Sequence, residues 1–205
     1  MIVIVDYGMG NLGSVYKSFK RVTSKVKISE SKKDIELADK LVLPGVGHFS
    51  NGMNKLRDYD YLGILNHKVI DNKTPVLGIC LGMQLFSRFS YEGNVEGLNW
   101  IDAEVVKFEM KKKSRWKVPH MGWNSISISK DNSPFLDGIT QSELFYFVHS
   151  YYMKCFESDD ILGRTKYSID FTSMVQKENI FGTQFHPEKS HDKGLRLIKN
   201  FVEKI

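Results

Sequence analysis

The sequence predicts a single α/β domain over residues 1–205, built on an open, mainly parallel central sheet flanked by helices, with an additional antiparallel strand region. Three observations point there. Short, wholly apolar runs such as Ile2–Val5, Leu41–Leu43 and Val76–Ile79 are too apolar for strands with a wet face, so they belong in a sheet covered on both sides. Segments of helical period separate them, as parallel strands require. Further along, Ser125-Ile126-Ser127-Ile128 alternates strictly, the pattern of an antiparallel strand with one solvated face.

The elements follow in order. Ile2–Val5 ends at the glycine-rich turn Asp6-Tyr7-Gly8-Met9-Gly10, and Leu12, Val15, Phe19 and Val22 then recur at helical spacing. Val26–Ile28 is a second strand, followed by a polar segment holding Asp34–Asp39. Leu41–Leu43 stops at Pro44-Gly45-Val46-Gly47, and Met53 and Leu56 mark the next helix. Val76–Ile79 runs into Cys80-Leu81-Gly82, with a helix expected from Met83 to Phe89. Strands are expected at Ala103–Phe108, Ser125–Ser129, Phe145–Val148 and Ile180–Phe185. Leu195, Ile198, Phe201 (or Val202) and Ile205 form the apolar stripe of a closing helix.

Composition bounds the function. The chain is 41% hydrophobic and 26% charged, as expected of a globular protein and unlike a disordered one. No window approaches the roughly 18 uninterrupted apolar residues of a membrane helix, and Ile2–Val5 is too short for a signal-peptide core. Two cysteines, Cys80 and Cys155, imply no disulfide framework and suit a reducing cytoplasm. The net charge of +5 raises the question of an acidic partner. Much of the excess sits in Lys111-Lys112-Lys113-Ser114-Arg115, which is expected to be a solvated loop rather than a docking patch, so no nucleic-acid partner follows.

Ligands in open α/β sheets bind beyond the carboxyl ends of the strands, and three unusual turns lie at such ends. Gly78-x-Cys80-x-Gly82 has the layout of a nucleophile elbow, with cysteine in the nucleophile's place. A cysteine at the amino end of a helix meets the dipole and free N–H groups there, which favour the thiolate, the reactive form. Cys155 lacks that frame and is assigned a structural role. His186-Pro187-Glu188 supplies a base and its orienting acid. Proline pushes the preceding residue to an extended backbone, and in an extended chain residues two apart share a side, which sets Glu188 beside His186. An imidazole that accepts a thiol proton, oriented by a carboxylate, is the general triad logic. Pro44-Gly45-Val46-Gly47 offers backbone N–H groups for an oxyanion.

Other chemistries find less support. His186-x-Glu188 matches the H-x-E portion of zinc deaminases, but no P-C-x-x-C follows and no CxxC or HExxH occurs, so no metal is expected. No GxxxxGK[ST] loop is present, so no ATP site is supported. Gly8, Gly10 and Gly13 fit the spacing of a dinucleotide fingerprint, but the acidic residue expected after the next strand is not clearly placed. No cofactor is expected.

Taken together these phrases resemble the class I (triad) glutamine amidotransferases over nearly the whole chain. Carrying the likeness are DYGMGNL from Asp6, LPGVGHF from Leu43, GICLGMQL from Gly78, PHMGWN from Pro119, YFVHSY from Tyr146 and QFHPEKS from Gln184. The narrower phrases, PHMGWN, YFVHSY and HPEKS, are similar to those of the glutaminase subunits of imidazole glycerol phosphate synthase. The resemblance implies the class I glutamine amidotransferase fold and the hydrolysis of L-glutamine through a thioester on Cys80, with His186 and Glu188 completing the triad. It implies oxyanion donors at Val46 and Leu81 and glutamine contacts from Gly45, Gly47, Gln84, Glu92, Ser150 and Tyr151. Asn11, Met121, Trp123 and Lys189 would face a (β/α)8-barrel synthase in a heterodimer, where ammonia is used to make imidazole glycerol phosphate and AICAR in histidine biosynthesis. Paralogues that feed a surface-sugar amidotransferase retain the same triad and interface phrases, and this chain reads Gly97-Leu98-Asn99-Trp100 where many members have Gly-Leu-Gly. Both acceptors stay open, as does a cysteine peptidase-like hydrolase on a related fold.

Overall fold

The computed structural model describes residues 1–110 and 116–205; the basic run Lys111–Arg115 lies outside the described residues. The strands are β1 (Ile2–Val5), β2 (Val26–Ser29), β3 (Lys40–Gly45), β4 (Val76–Cys80), β5 (Phe89–Ser90), β6 (Val95–Glu96) and β7 (Ala103–Lys107). The second half supplies β8 (His120–Ser125), β9 (Ser127–Ile128), β10 (Leu144–His149), β11 (Tyr151–Cys155), β12 (Ile161–Lys166), β13 (Asp170–Lys177) and β14 (Ile180–Thr183). Helices are α1 (Leu12–Lys20), α2 (Lys32–Glu36), α3 (Phe49–Asp58), α4 (Leu62–Asn66, continued by a π-helical turn His67–Asp71), α5 (Leu81–Gln84) and α6 (His191–Glu203).

Among the described residues the main sheet runs β2-β1-β3-β4-β14-β13-β11-β7-β5-β6, with β12 and β9 attached through β13. Its first five strands are parallel neighbours, and the sheet turns antiparallel at β14 against β13. A separate antiparallel pair, β8 with β10, lies apart from it. The expected mixed sheet with an antiparallel region is therefore observed. Its apolar strands feed two cores, because successive side chains point to opposite faces. Val3, Val5, Leu41 and Leu43 meet Ile35, Phe49, Met53 and Leu56 on one side. Ile2, Ile4, Val42, Leu77 and Ile79 meet Val15, Phe19, Leu197, Ile198 and Phe201 on the other. No helix among the described residues is long and apolar enough to cross a membrane.

Four local expectations change. The helix expected over Met83–Phe89 ends at Gln84, because the N–H groups of Leu98, Asn99, Trp100 and Ile101 take the carbonyls of Leu85, Ser87 and Phe86. A continuing helix would need those carbonyls for its own ladder. The single strand expected over Ser125–Ser129 divides at Ile126: β8 pairs with β10, while β9 pairs with β12. In the closing helix Gly194 and Leu197 are buried and Leu195 is only half-buried, so the stripe is rotated from the predicted one. Gly194 lies there because its Cα packs on Pro187, whose carbonyl oxygen would be 1.9 Å from an added Cβ. Finally, the strand expected to reach Phe185 ends at Thr183.

Candidate active site

β4 passes into α5 without an intervening loop, and Cys80 is the junction. Its backbone is held at φ 55°, ψ −108°, a region that L-residues avoid and that costs on the order of 1–3 kcal/mol unless the surroundings enforce it. The flanking glycines do the enforcing. A Cβ at Gly78 would lie 2.6 Å from the Phe86 ring and 2.7 Å from the Met83 nitrogen, and one at Gly82 would lie 1.7 Å from the Leu43 carbonyl oxygen. Only bare Cα atoms let α5 pack this closely on β3 and β4. Gly45, opposite Cys80 in the β3–β4 register, is equally constrained, since its Cβ would meet the Tyr7 hydroxyl at 2.6 Å. Tyr7 donates to the Pro44 carbonyl oxygen at 2.7 Å, fastening the Pro44–Gly47 turn beside the thiol.

His186 sits just past the end of β14 with the extended backbone that its proline neighbour predicts, φ −98°, ψ 95°. Its Nδ1 lies 2.8 Å from Glu188 Oε1, and both side chains are 2% exposed. The pair forms, but not by strand alternation: Pro187–Lys189 is a 3-10 turn, and this turn returns Glu188 to the ring. Because Nδ1 faces a carboxylate acceptor it carries the proton, which leaves Nε2, without a hydrogen-bond partner among the described residues, for proton transfer. Burial works against charging this ring. The Cys80 thiolate, then Glu188, outweigh it and push His186 up to about 10.

The cleft has a volume of about 310 Å³ and is lined by Val46, Gly47, Cys80, Leu81, Gln84, Glu92, Ser150, Tyr151 and His186, with Pro119, Val148 and His149. Of the expected catalytic, oxyanion and glutamine-contacting residues, Gly45 and Glu188 lie behind this wall rather than on it. Glu92 accepts from the Phe49 N–H at 2.9 Å, and burial raises its carboxyl above the ordinary carboxylate range. A larger depression of about 800 Å³, lined by Ser129–Pro134 and Gln176–Glu178 among others, contains none of the expected site residues.

The four expected interface residues lie outside the cleft. Met121 and Trp123 are 63% and 45% exposed on β8, and Trp123 stacks on His191 with 4.9 Å between ring centroids. Lys189 sits over the Tyr146 ring at 5.9 Å. Asn11 is exposed and also caps α1, accepting from the Ser14 N–H.

Sequence reasoning overlooked Gln184, His149 and Tyr7. Gln184 is fully buried and donates from Nε2 toward Cys80 Sγ at 3.7 Å. His149 lines the cleft, and burial drives its ring down to about 3. Tyr7 is buried, and burial, helped by Cys80, pushes its phenol far up. All three lie inside phrases that carry the family resemblance, but none was given a role of its own.

The family model for glutamine amidotransferase class-I matches residues 3–205. The imidazole glycerol phosphate synthase subunit HisH 2 of Pseudomonas aeruginosa is 49% identical over 205 residues, covering 100% of both chains. HisH 2 of Methanococcus maripaludis is 47% identical, covering 99% of each, and HisH 1 of Campylobacter jejuni is 46% identical, covering 98% and 99%. A solved glutamine amidotransferase superposes with a TM-score of 0.75 at 16% identity, covering 99% and 98% of the two chains. The glutaminase domain of Trypanosoma brucei CTPS, solved with acivicin bound, gives 0.65 at 16% identity, covering 98% and 93%. At those identities the structural likeness is one of fold.

Proposed function

The chain belongs to the class-I glutamine amidotransferase family, and on that premise we propose that it is the glutaminase subunit of an imidazole glycerol phosphate synthase, hydrolysing L-glutamine and passing the ammonia to a (β/α)8-barrel partner in histidine biosynthesis. The observation that carries the proposal is the meeting, in one cleft, of a thiol on a strained elbow and an imidazole backed by a buried carboxylate.

The reaction follows from these groups. The Cys80 thiolate attacks the carboxamide carbon of glutamine, forming a C–S bond and moving the carbonyl electrons onto oxygen. Backbone N–H groups of Leu81 and Val46 stabilise that oxyanion; removing one such donor typically costs about a hundredfold or more. His186 gives its Nε2 proton to the departing nitrogen, the C–N bond breaks, and ammonia leaves. Water, deprotonated by His186, then attacks the thioester, releasing glutamate and restoring the thiolate. Glu188 keeps the ring oriented and stabilises its charge throughout. Gln84, Glu92, Ser150 and Tyr151 hold the glutamine, with Glu92 matched to the α-ammonium group.

The half-exposed Met121 and Trp123 on β8, with Asn11 and Lys189, form the partner-facing surface of a heterodimer. The assembly works in the cytoplasm, and its overall reaction is that of a lyase. The isolated chain should show little glutaminase activity, because the Pro44–Gly47 turn reaches its active arrangement with energy from partner binding. High turnover by the chain alone would contradict that point.

A second reading is favoured by one observation. The relatives from Pseudomonas, Methanococcus and Campylobacter are numbered copies, HisH 2 or HisH 1. A duplicated subunit is free to supply ammonia to a surface-sugar amidotransferase instead. The deciding experiment is reconstitution with each candidate partner. Cys80→Ala should abolish glutamine-dependent product and leave ammonia-dependent product intact; continued use of glutamine would end the thioester mechanism.

A further inference from the structure

A second set of buried polar groups, separate from the His186–Glu188 pair, reaches the thiol. The Tyr151 carbonyl oxygen can only accept hydrogen bonds, and it fixes the sense of everything around it. Gln84 must therefore turn Nε2 toward it, at 2.9 Å. The second Nε2 proton of Gln84 goes to Gln184 Oε1, also at 2.9 Å. With its oxygen engaged as an acceptor, Gln184 has only Nε2 left for the other side, where Cys80 Sγ lies at 3.7 Å. The same carbonyl accepts from His149 Nδ1 at 2.7 Å, so His149 Nε2 is an acceptor and takes the Nδ1 proton of His120 at 3.0 Å. His120 Nε2 in turn accepts from Asn124 at 3.2 Å. Each donor in the run is thus assigned by chemistry, and the run ends at the sulfur.

We propose that Gln184 is a catalytic residue of this site, its Nε2–H stabilising the Cys80 thiolate, and that Gln84 is the positioning residue that keeps the amide of Gln184 turned that way. The assignment rests on Cys80 being the nucleophile. Gln184 lies between Thr183 and Phe185, all three fully buried, and its own N–H is pinned to the Ser173 carbonyl at 2.9 Å. A leucine or methionine would satisfy packing there without desolvating an amide, and a buried amide contributes little net stability. A donor to the reacting sulfur gives the amide a reason to be kept. With both Nε2 protons engaged inside the protein, Gln84 has only its oxygen to offer a ligand.

The test is the rate at which iodoacetamide alkylates Cys80 in the full chain, followed by peptide mass spectrometry from about pH 5 to about pH 10, where thiolate formation sets the rate. His186 and Tyr7, the other titratable groups coupled to the thiol, are left untouched. Gln184→Glu, nearly isosteric, and Gln184→Met should move the midpoint of the profile to higher pH by about one unit, a roughly tenfold slower reaction on the acid side. Gln84→Leu should move it the same way by less. Profiles of both Gln184 variants that superpose on the wild type, in chains with unchanged circular dichroism, would overturn the assignment and leave Gln184 a packing residue. If Gln184→Met does not fold, Gln184→Glu decides alone. Failure of the wild-type protein to use glutamine in any reconstituted complex, with the profile shift still present, would count against the glutaminase reading and not against this contact.

Discussion

Gly82→Ala isolates the close packing that builds the elbow. Gly82 has ordinary helical backbone within α5, so alanine is conformationally acceptable and only its methyl group is at issue. That methyl would stand 1.7 Å from the Leu43 carbonyl oxygen, and the clashing atom is backbone in the centre of the sheet. To restore contact, α5 must move off β3 by on the order of 1 Å, an overpacking cost of about 1–3 kcal/mol or more. Restriction of the unfolded chain by alanine returns about 0.4–1 kcal/mol. A net loss of about 2 kcal/mol in a chain of this size lowers Tm by about 4–8 °C. Gly63→Ala in α4 is the control: nothing lies within 4 Å of its added Cβ, so Tm should hold or rise slightly. Differential scanning calorimetry of the two variants makes the comparison. The displacement also carries the Leu81 N–H away from the site, so kcat in the complex should fall with Tm. A Gly82→Ala protein as stable as the Gly63→Ala control would refute the packing account of the elbow.

Three other outcomes are expected. Trp123→Ala removes a half-exposed aromatic anchor and should weaken partner binding by about 2 kcal/mol, roughly thirtyfold in Kd by isothermal titration, with Tm nearly unchanged; an unaltered Kd would place the interface elsewhere. Glu92→Gln should raise KM for glutamine about tenfold with a smaller change in kcat, because it removes the charge matched to the substrate ammonium group; a pure kcat defect would exclude that role. His149 is neutral when folded, held near 3 chiefly by burial, while the unfolded ring titrates at the ordinary value of about 6.5. The unfolded state therefore binds the extra proton as pH falls below about 6.5, and folding stability should decline by about 1.4 kcal/mol per pH unit from this group until the folded value is reached. Urea titrations at successive pH values should show a shallower decline for His149→Gln; equal slopes would mean that His149 is charged in the folded protein.

Much of this site was legible because its signals are local. Gly78, Cys80 and Gly82 are spaced so that only a strand-to-helix elbow uses both glycines, and His186-Pro187-Glu188 encodes an extended histidine with a carboxylate within reach. Fully apolar Ile2–Val5 and Val76–Ile79 could satisfy their side chains only between two covered faces, which predicted the parallel part of the sheet. Such inferences need no knowledge of distant residues.

Where distant residues decide, the sequence was silent or misleading. The helix beginning at α5 has the composition to run on to Phe89, and it stops because N–H groups from Leu98–Ile101 claim its carbonyls. Glu188 reaches His186 through a 3-10 turn that its spacing alone did not reveal. The amide of Gln184 faces sulfur only because Gln84, 100 residues away, is itself turned by the Tyr151 carbonyl. The candidate triad was thus legible in the sequence, through the short-range geometry that glycine and proline impose. The orientation, protonation and common cleft of its residues were decided by the tertiary structure, because hydrogen-bond polarity and burial depend on groups brought together only when the chain closes on itself.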